Sequence, residues 1–147
     1  MSKREKKAIK LYCDGSSLGN PGAGGWGVIL EYKGVKKEFS GGVKSATNNQ
    51  MELQAVIEGL KRLKEPCKVE IVTDSQYIAN SINDWLYKWI AKGFKGVKNK
   101  ELWEEYLRVS KDHDIKAIWV RGHNGHVENE RCDYLAKKEA IKFKEHS

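Results

Sequence analysis

The chain has 147 residues, a 39% apolar fraction and only two prolines, which suits one folded domain with its own core and argues against a linker-rich or disordered chain. Its apolar runs stop at four or five residues and its N-terminus, MSKREKKAIK, has no apolar stretch, which argues against a membrane-spanning helix and a secretory signal. A net charge of +7 points to a polyanionic partner, and three cysteines without a CxxC pair suit free thiols, so a cytoplasmic location is expected.

Residues 1–8 read as a basic, flexible tail, and 9–147 as a single α/β domain. Five of the first ten residues are Lys or Arg, which serves either a solvated tail or a contact with a polyanion. "IKLYCD" (9–14) alternates like a strand. In the stretch that follows, Gly22, Gly24 and Gly27 satisfy G-x-G-x-x-G, the pattern of a dinucleotide loop. Such a loop must open a helix, whereas "WGVILEYKG" reads as a strand, and no G-K-[ST] follows. The glycines are therefore expected to serve turns and close approach between two strands. "VKKEFSGG" reads as a third strand, joined to the second by a hairpin turn at Lys33–Gly34.

"TNNQMELQAVIEGLKRLK" repeats Leu53, Val56, Ile57, Leu60 and Leu63 at helical spacing, with Asn48 or Asn49 as N-cap and Pro66 as the stop. "VEIVTD" (69–74) is a β-branched strand leading into a helix from Ser75 toward Asn83. Residues 85–100, "WLYKWIAKGFKGVKNK", carry five lysines (Lys88, Lys92, Lys95, Lys98 and Lys100) and no acid, interleaved with Trp85, Trp89 and Phe94. That mixture suits a nucleic-acid surface, although two tryptophans four apart also fit the core side of a helix. A helix over "NKELWEEYLRVSKDH", a strand "IKAIWVRG" (115–122), a loop "HNGHVEN" and a last helix with Cys132, Leu135, Ala136, Ala140 and Phe143 on one stripe complete the chain. The order implies a mixed sheet, an antiparallel meander followed by parallel strands behind helical crossovers.

Asp14 and Asp74 each end a predicted strand, in "CDGS" and "TDSQ", where open α/β sheets bind ligands. Either alone reads as a turn former. On neighbouring strands the two carboxylates would repel unless protonated or bridged by a cation. Glu52 and Asp133 lie near helix starts beside the small residues Ala55, Gly59 and Ala136, which allow close approach to the sheet. Four converging acids give all-oxygen ligation suited to Mg²⁺ or Mn²⁺, and a pair of such ions serves phosphodiester cleavage. His123, His126 and Cys132 lack a fourth partner for structural zinc, so a loop histidine beside the acids reads as a proton carrier.

With "DGSSLGNPGAGGWG", "TNNQMEL", "TDSQY" and "GHNGHVENERCDYLA" in order, the chain from about Ile9 to Ala140 resembles the bacterial type 1 ribonuclease H family. The resemblance implies a ribonuclease H-like fold with a five-stranded mixed sheet. It also implies Mg²⁺-dependent endonucleolytic hydrolysis of the RNA strand of RNA–DNA hybrids, leaving 3′-hydroxyl and 5′-phosphate ends; a monomer with no obligate protein partner is expected. Asp14, Glu52, Asp74 and Asp133 are then the catalytic metal ligands and His123 the proton carrier. Ser16, Ser17, Asn20, Asn48, Asn49 and Gln76 are the expected contacts to the RNA strand. Thr47 and Asn99 correspond to a pocket for a DNA-strand phosphate, and Trp85, Trp89 and Phe94 to a basic protrusion along the DNA strand. The alternatives are a non-catalytic nucleic-acid-binding module or another nuclease of the same broad fold.

Overall fold

The computed structural model describes residues 6–121 and 126–145. Three strands, β1 (Lys7–Ser17), β2 (Gly22–Tyr32) and β3 (Val35–Ala46), form the antiparallel meander. The β2–β3 turn sits at the expected place: Lys33 and Gly34 both take positive φ (49° and 82°), the twist that a two-residue hairpin requires. β1 is longer than expected at both ends. At its start Lys7 and Ala8 pair with Cys67 and Lys68, while Lys6 and Lys7 form ion pairs with Asp114 and Glu65. Lys7 and Ala8, within the segment expected to be a flexible tail, are therefore strand residues, because the neighbouring strand supplies partners for their backbone.

α1 (Asn48–Lys61) starts one residue earlier than an Asn48 cap would allow and two earlier than an Asn49 cap. Its N-cap is Thr47, whose hydroxyl accepts from the Gln50 amide while the Gln50 side chain accepts from the Thr47 N–H, a reciprocal capping box. Arg62, not Pro66, closes the helix. β4 (Cys67–Thr73) follows. Then α2 (Gln76–Asn80), a π-helical turn (Ser81–Trp85) and α3 (Leu86–Ala91) run on without a break. The π-turn presents Asn83 to the edge of the sheet, where its amide bonds both the N–H and the C=O of Ala117 (3.2 and 3.0 Å). α4 (Lys100–Ser110), β5 (Asp114–Trp119) and α5 (Val127–Glu145) complete the chain; β5 ends before Val120 and Arg121, and α5 begins within the segment expected to be a loop.

Among the described residues the strands form one sheet in the order β3-β2-β1-β4-β5, with β1–β4 and β4–β5 parallel, the mixed topology expected from the order of elements. Leu11, Cys13 and Val28 face α1 in the larger core, which Ile57, Leu60 and Trp103 help to fill. Tyr12 and Ile29 face the other side and pack with Cys132 of α5. The three cysteines are free and buried.

Candidate active site

The parallel register of β1 with β4 ends at Tyr12↔Val72. Two residues farther along each chain come Asp14 and Asp74, level with one another. Asp14 does not end its strand: β1 continues to Ser17 and Asp14 pairs across with Gly27 of β2. What ends there is β4, so the Asp14 side chain sits at the mouth opened where its neighbour departs. α1 supplies Glu52, and Asp14, Glu52 and Asp74 each offer a carboxylate oxygen with all three within 4.8 Å of one another.

Glycines on the strands, more than the small residues on the helices, allow this convergence. A Cβ on Gly15 would run into the backbone at Met51 and Glu52, so Gly15 lets the first turn of α1 lie on β1 beside Asp14. On the opposite face a Cβ on Gly25 or Gly27 would strike the α5 backbone at Ala136 or Cys132. The close approach made by this glycine-rich stretch is therefore strand to helix, not strand to strand as expected. It brings Asp133 of α5 near enough to Asp14 to help raise its pKa, while Lys137 one turn on pairs with the Asp133 carboxylate at 3.0 Å. Asp133 thus flanks the tight trio, held by a cation of its own helix.

Only 5% of Asp14 is exposed. Burial pushes its pKa from 3.8 to about 8; repulsion from Asp74 and Asp133 adds to the rise, and a hydrogen bond with Glu52 opposes it. Glu52 is driven well above its usual value, by burial first and then by the charge and hydrogen bond of Asp14. Its Oε2 is buried and finds no hydrogen-bond partner. An orphaned carboxylate oxygen beside two more acids fits a hard divalent cation, whose charge would satisfy all three at once.

Stability should therefore respond to pH in a defined direction. Both folded-state pKa values lie above the unfolded ones, so between about pH 4 and 8 the folded protein holds more protons and the metal-free protein loses stability as pH rises. A cation binds the deprotonated trio and releases those protons. Thermal melts should show Mg²⁺ raising Tm more at about pH 8 than at about pH 5. An equal increment at both would mean that the carboxylates are already ionised without metal.

The residues expected at an RNA strand gather at the same edge. The Ser17 N–H donates to Asn48 Oδ1 (2.8 Å), and the Asn48 N–H to Asn20 Oδ1 (3.1 Å). Both asparagine oxygens are thus engaged within the protein, which leaves their amide protons for a ligand, whereas the Ser17 backbone amide is already used. Ser16 is half-buried; Asn49 and Gln76 are exposed. His123 lies outside the described residues, and His126 is exposed just before α5.

Lys88, Lys92, Lys95, Lys98 and Lys100 are all exposed, and none forms a salt bridge among the described residues. Tyr77, Trp89, Lys92, Lys95 and Lys98 line a groove of about 380 Å³. Trp89 is half-buried against Trp103 and Trp85 (5.6 and 6.1 Å between ring centroids), and Trp85 is 39% exposed. Phe94 departs from the expected role: it is buried in the main core, so its ring anchors the basic segment and does not lie on its surface. Thr47 and Asn99 are joined through Gln50, whose Nε2 donates to Asn99 Oδ1 at 3.3 Å. Sequence reasoning missed Gln50 and Tyr77 in this cluster. The T-x-x-Q spacing of a capping box was the available signal for the first.

The ribonuclease H family model matches residues 6–141. The chain is 58% identical over 144 residues to the ribonuclease H of Sulfurovum sp. (strain NBC37-1), with 98% of each chain covered. Among solved structures, LC9-RNase H1, a type 1 RNase H with the type 2 active-site motif, superposes with a TM-score of 0.88 at 31% identity over 96% of this chain and 75% of that one. LC11-RNase H1 in complex with an RNA/DNA hybrid shares the fold with a TM-score of 0.71 at 24% identity, over 91% of this chain and 97% of that one. Three acids converging at the edge of this sheet, a family match across nearly the whole chain and a relative of nearly equal length agree that the chain belongs to the type 1 ribonuclease H family.

Proposed function

We infer that the protein is an endonuclease that hydrolyses the RNA strand of RNA–DNA hybrids with Mg²⁺, or Mn²⁺ in its place, leaving 3′-hydroxyl and 5′-phosphate ends. The observation that carries this reading is the trio Asp14, Glu52 and Asp74 with its orphaned buried oxygen, in a chain of this family. A pure binding module would gain nothing from clustered carboxylates facing phosphates.

Asp14, Glu52 and Asp74 would hold the cations, with Asp133 joining once Lys137 releases it. Bound there, the cations would supply Lewis acidity toward the scissile phosphate and charge to stabilise the leaving oxygen. Water attacks phosphorus, the P–O3′ bond breaks, and the departing oxygen takes up a proton; His123, by family position, is the proposed proton carrier. Asn20, Asn48, Asn49, Gln76, Ser16 and Ser17 would read the RNA strand. The free amide protons of Asn20 and Asn48 suit 2′-hydroxyl oxygens, which DNA lacks. The lysine-lined groove, with Trp85 and Trp89, would carry the DNA strand.

The test compares a hybrid, an RNA duplex and a DNA duplex, each with Mg²⁺ or Mn²⁺ and with a chelator. Cleavage confined to the RNA of the hybrid, and abolished by the chelator, is the expected result; equal cutting of the DNA duplex would refute the assignment. Replacing Lys88, Lys92, Lys95, Lys98 and Lys100 together with Ala should weaken hybrid binding and flatten its salt dependence by roughly one log–log unit per lost phosphate contact. The cleavage rate at saturating hybrid should change little. A collapse of that saturated rate with an unaltered salt slope would take the segment out of the binding surface.

A further inference from the structure

Hydrogen bonds across the start of α1, α2 and the start of α4 form a chain with one direction. The Thr47 backbone N–H donates to Gln50 Oε1 (2.9 Å), so the other end of that amide, Nε2, must face outward as a donor, and it meets Asn99 Oδ1 (3.3 Å). The Asn99 amide is thereby turned with its oxygen inward, and its Nδ2 donates to Tyr77 Oη (3.3 Å). The same phenol oxygen accepts from Trp103 Nε1 (2.8 Å). A phenol oxygen that accepts from two donors keeps its own proton for something else. Tyr77 lines the groove with Lys92, Lys95 and Lys98, and Asn99 follows directly on Lys98.

We propose that Gln50 is a positioning residue: it fixes the sense of the Asn99 amide, so that this end of the lysine groove offers donors only to a nucleic-acid phosphate. The proposal rests on the hybrid-nuclease reading and deepens it. The principal acceptors of the relay, Gln50 Oε1, Asn99 Oδ1 and Tyr77 Oη, are all engaged within the protein. What Asn99 and Tyr77 keep for a ligand is the second Asn99 amide proton and the Tyr77 hydroxyl proton. An Asn99 amide turned the other way would set its carbonyl oxygen toward Tyr77 and the groove, where it would repel a phosphate. Only the backbone donor at Thr47, acting through Gln50, holds the choice. Gln50 touches no substrate in this scheme and acts through Asn99.

Two substitutions separate this role from the capping role of the same side chain. Gln50→Glu still accepts from the Thr47 N–H and keeps the cap, but its second oxygen faces Asn99 as an acceptor and reverses the amide. Gln50→Arg cannot accept from Thr47 and loses the cap, but still donates to Asn99 Oδ1. The measurements are KM and kcat for hybrid cleavage with Mg²⁺, hybrid Kd across a salt series, and Tm. Gln50→Glu should raise KM and Kd roughly tenfold with kcat nearly constant, at an unchanged Tm. The loss should persist at high salt, where the added charge is screened. Gln50→Arg should bind within about twofold of wild type in spite of a lower Tm. The reverse pattern, with Arg impaired and Glu normal, would reduce Gln50 to a helix cap, and two wild-type binders would remove the relay altogether. A wild-type protein that neither binds nor cleaves the hybrid would instead overturn the function on which the proposal rests.

Discussion

Asp14→Asn should abolish metal-dependent cleavage and at the same time make the metal-free protein more stable. The amide keeps the shape of the carboxylate and can still accept from the Gly15 N–H, which now bonds Asp14 Oδ1 at 3.0 Å. It cannot carry charge to a cation. Losing one anionic ligand from a trio within 4.8 Å should cost several kcal/mol of transition-state stabilisation, on the order of 10³-fold or more in rate. The gain in stability comes from the same burial. A carboxyl whose pKa stands at about 8 in the folded state and near 3.8 outside it opposes folding at neutral pH. Removing it should contribute about 4 kcal/mol at pH 7, a rise in Tm of about 10–15 °C, and under about 1 kcal/mol at pH 4, where the folded-state carboxyl is protonated and the unfolded one only partly ionised. Hybrid binding should survive, because the groove and the asparagines are untouched. Melts of the two proteins that coincide at pH 7 would mean that the buried acids are not straining the fold, and undiminished cleavage would remove Asp14 from the metal site.

Gly15→Ala should instead lower stability and metal affinity together. The added methyl group has no space against the Met51–Glu52 backbone, and backbone cannot swing aside as a flexible side chain would. α1 must lift from β1, at a cost of about 3 kcal/mol, the upper end of ordinary overpacking. Glu52 rides on that turn, so the trio opens and cation affinity should fall by more than about tenfold. Gly34→Ala is the matched control. A Cβ there meets nothing within 4 Å and strains only a backbone at φ +82°, for about 1 kcal/mol and no change in metal binding. Titration calorimetry with Mg²⁺, alongside thermal melts, reads both quantities. If Gly15→Ala loses stability but binds the cation as wild type does, Glu52 is not held in place by this contact.

Much of this arrangement is legible in the amino-acid sequence. The alternation of β1, the β-branched run of β4 and the helical spacing of apolar residues along α1 define the layers, and the two aspartates mark one edge of the sheet. The mixed topology follows from the order of these elements. Register is what local patterns do not carry. Whether Asp14 and Asp74 lie level depends on β1 and β4 pairing as Tyr12↔Val72, a long-range match that no short stretch reports. The glycines mislead for a related reason. Their spacing mimics a phosphate-binding loop, yet within an eleven-residue strand alternate positions face opposite sides, so Gly24 meets α1 while Gly25 and Gly27 meet α5. Their partners are distant in sequence and therefore invisible in it. Phe94 is the converse case: it lies among lysines in the chain, but a positive φ at Phe94 accompanies a ring turned into the core.

The Asn83 side chain laid along β5 also bears on how copies of this protein behave toward one another. β5 is the last strand of the sheet, and an open border of that kind is where foreign strands attach. Here the outward N–H and C=O of its central residue, Ala117, are already occupied by a side-chain amide that mimics a strand for one residue and then ends. An approaching chain would have to displace that amide before it could pair with Ala117. A one-residue counterfeit strand thus interrupts the border at its middle without lengthening the sheet.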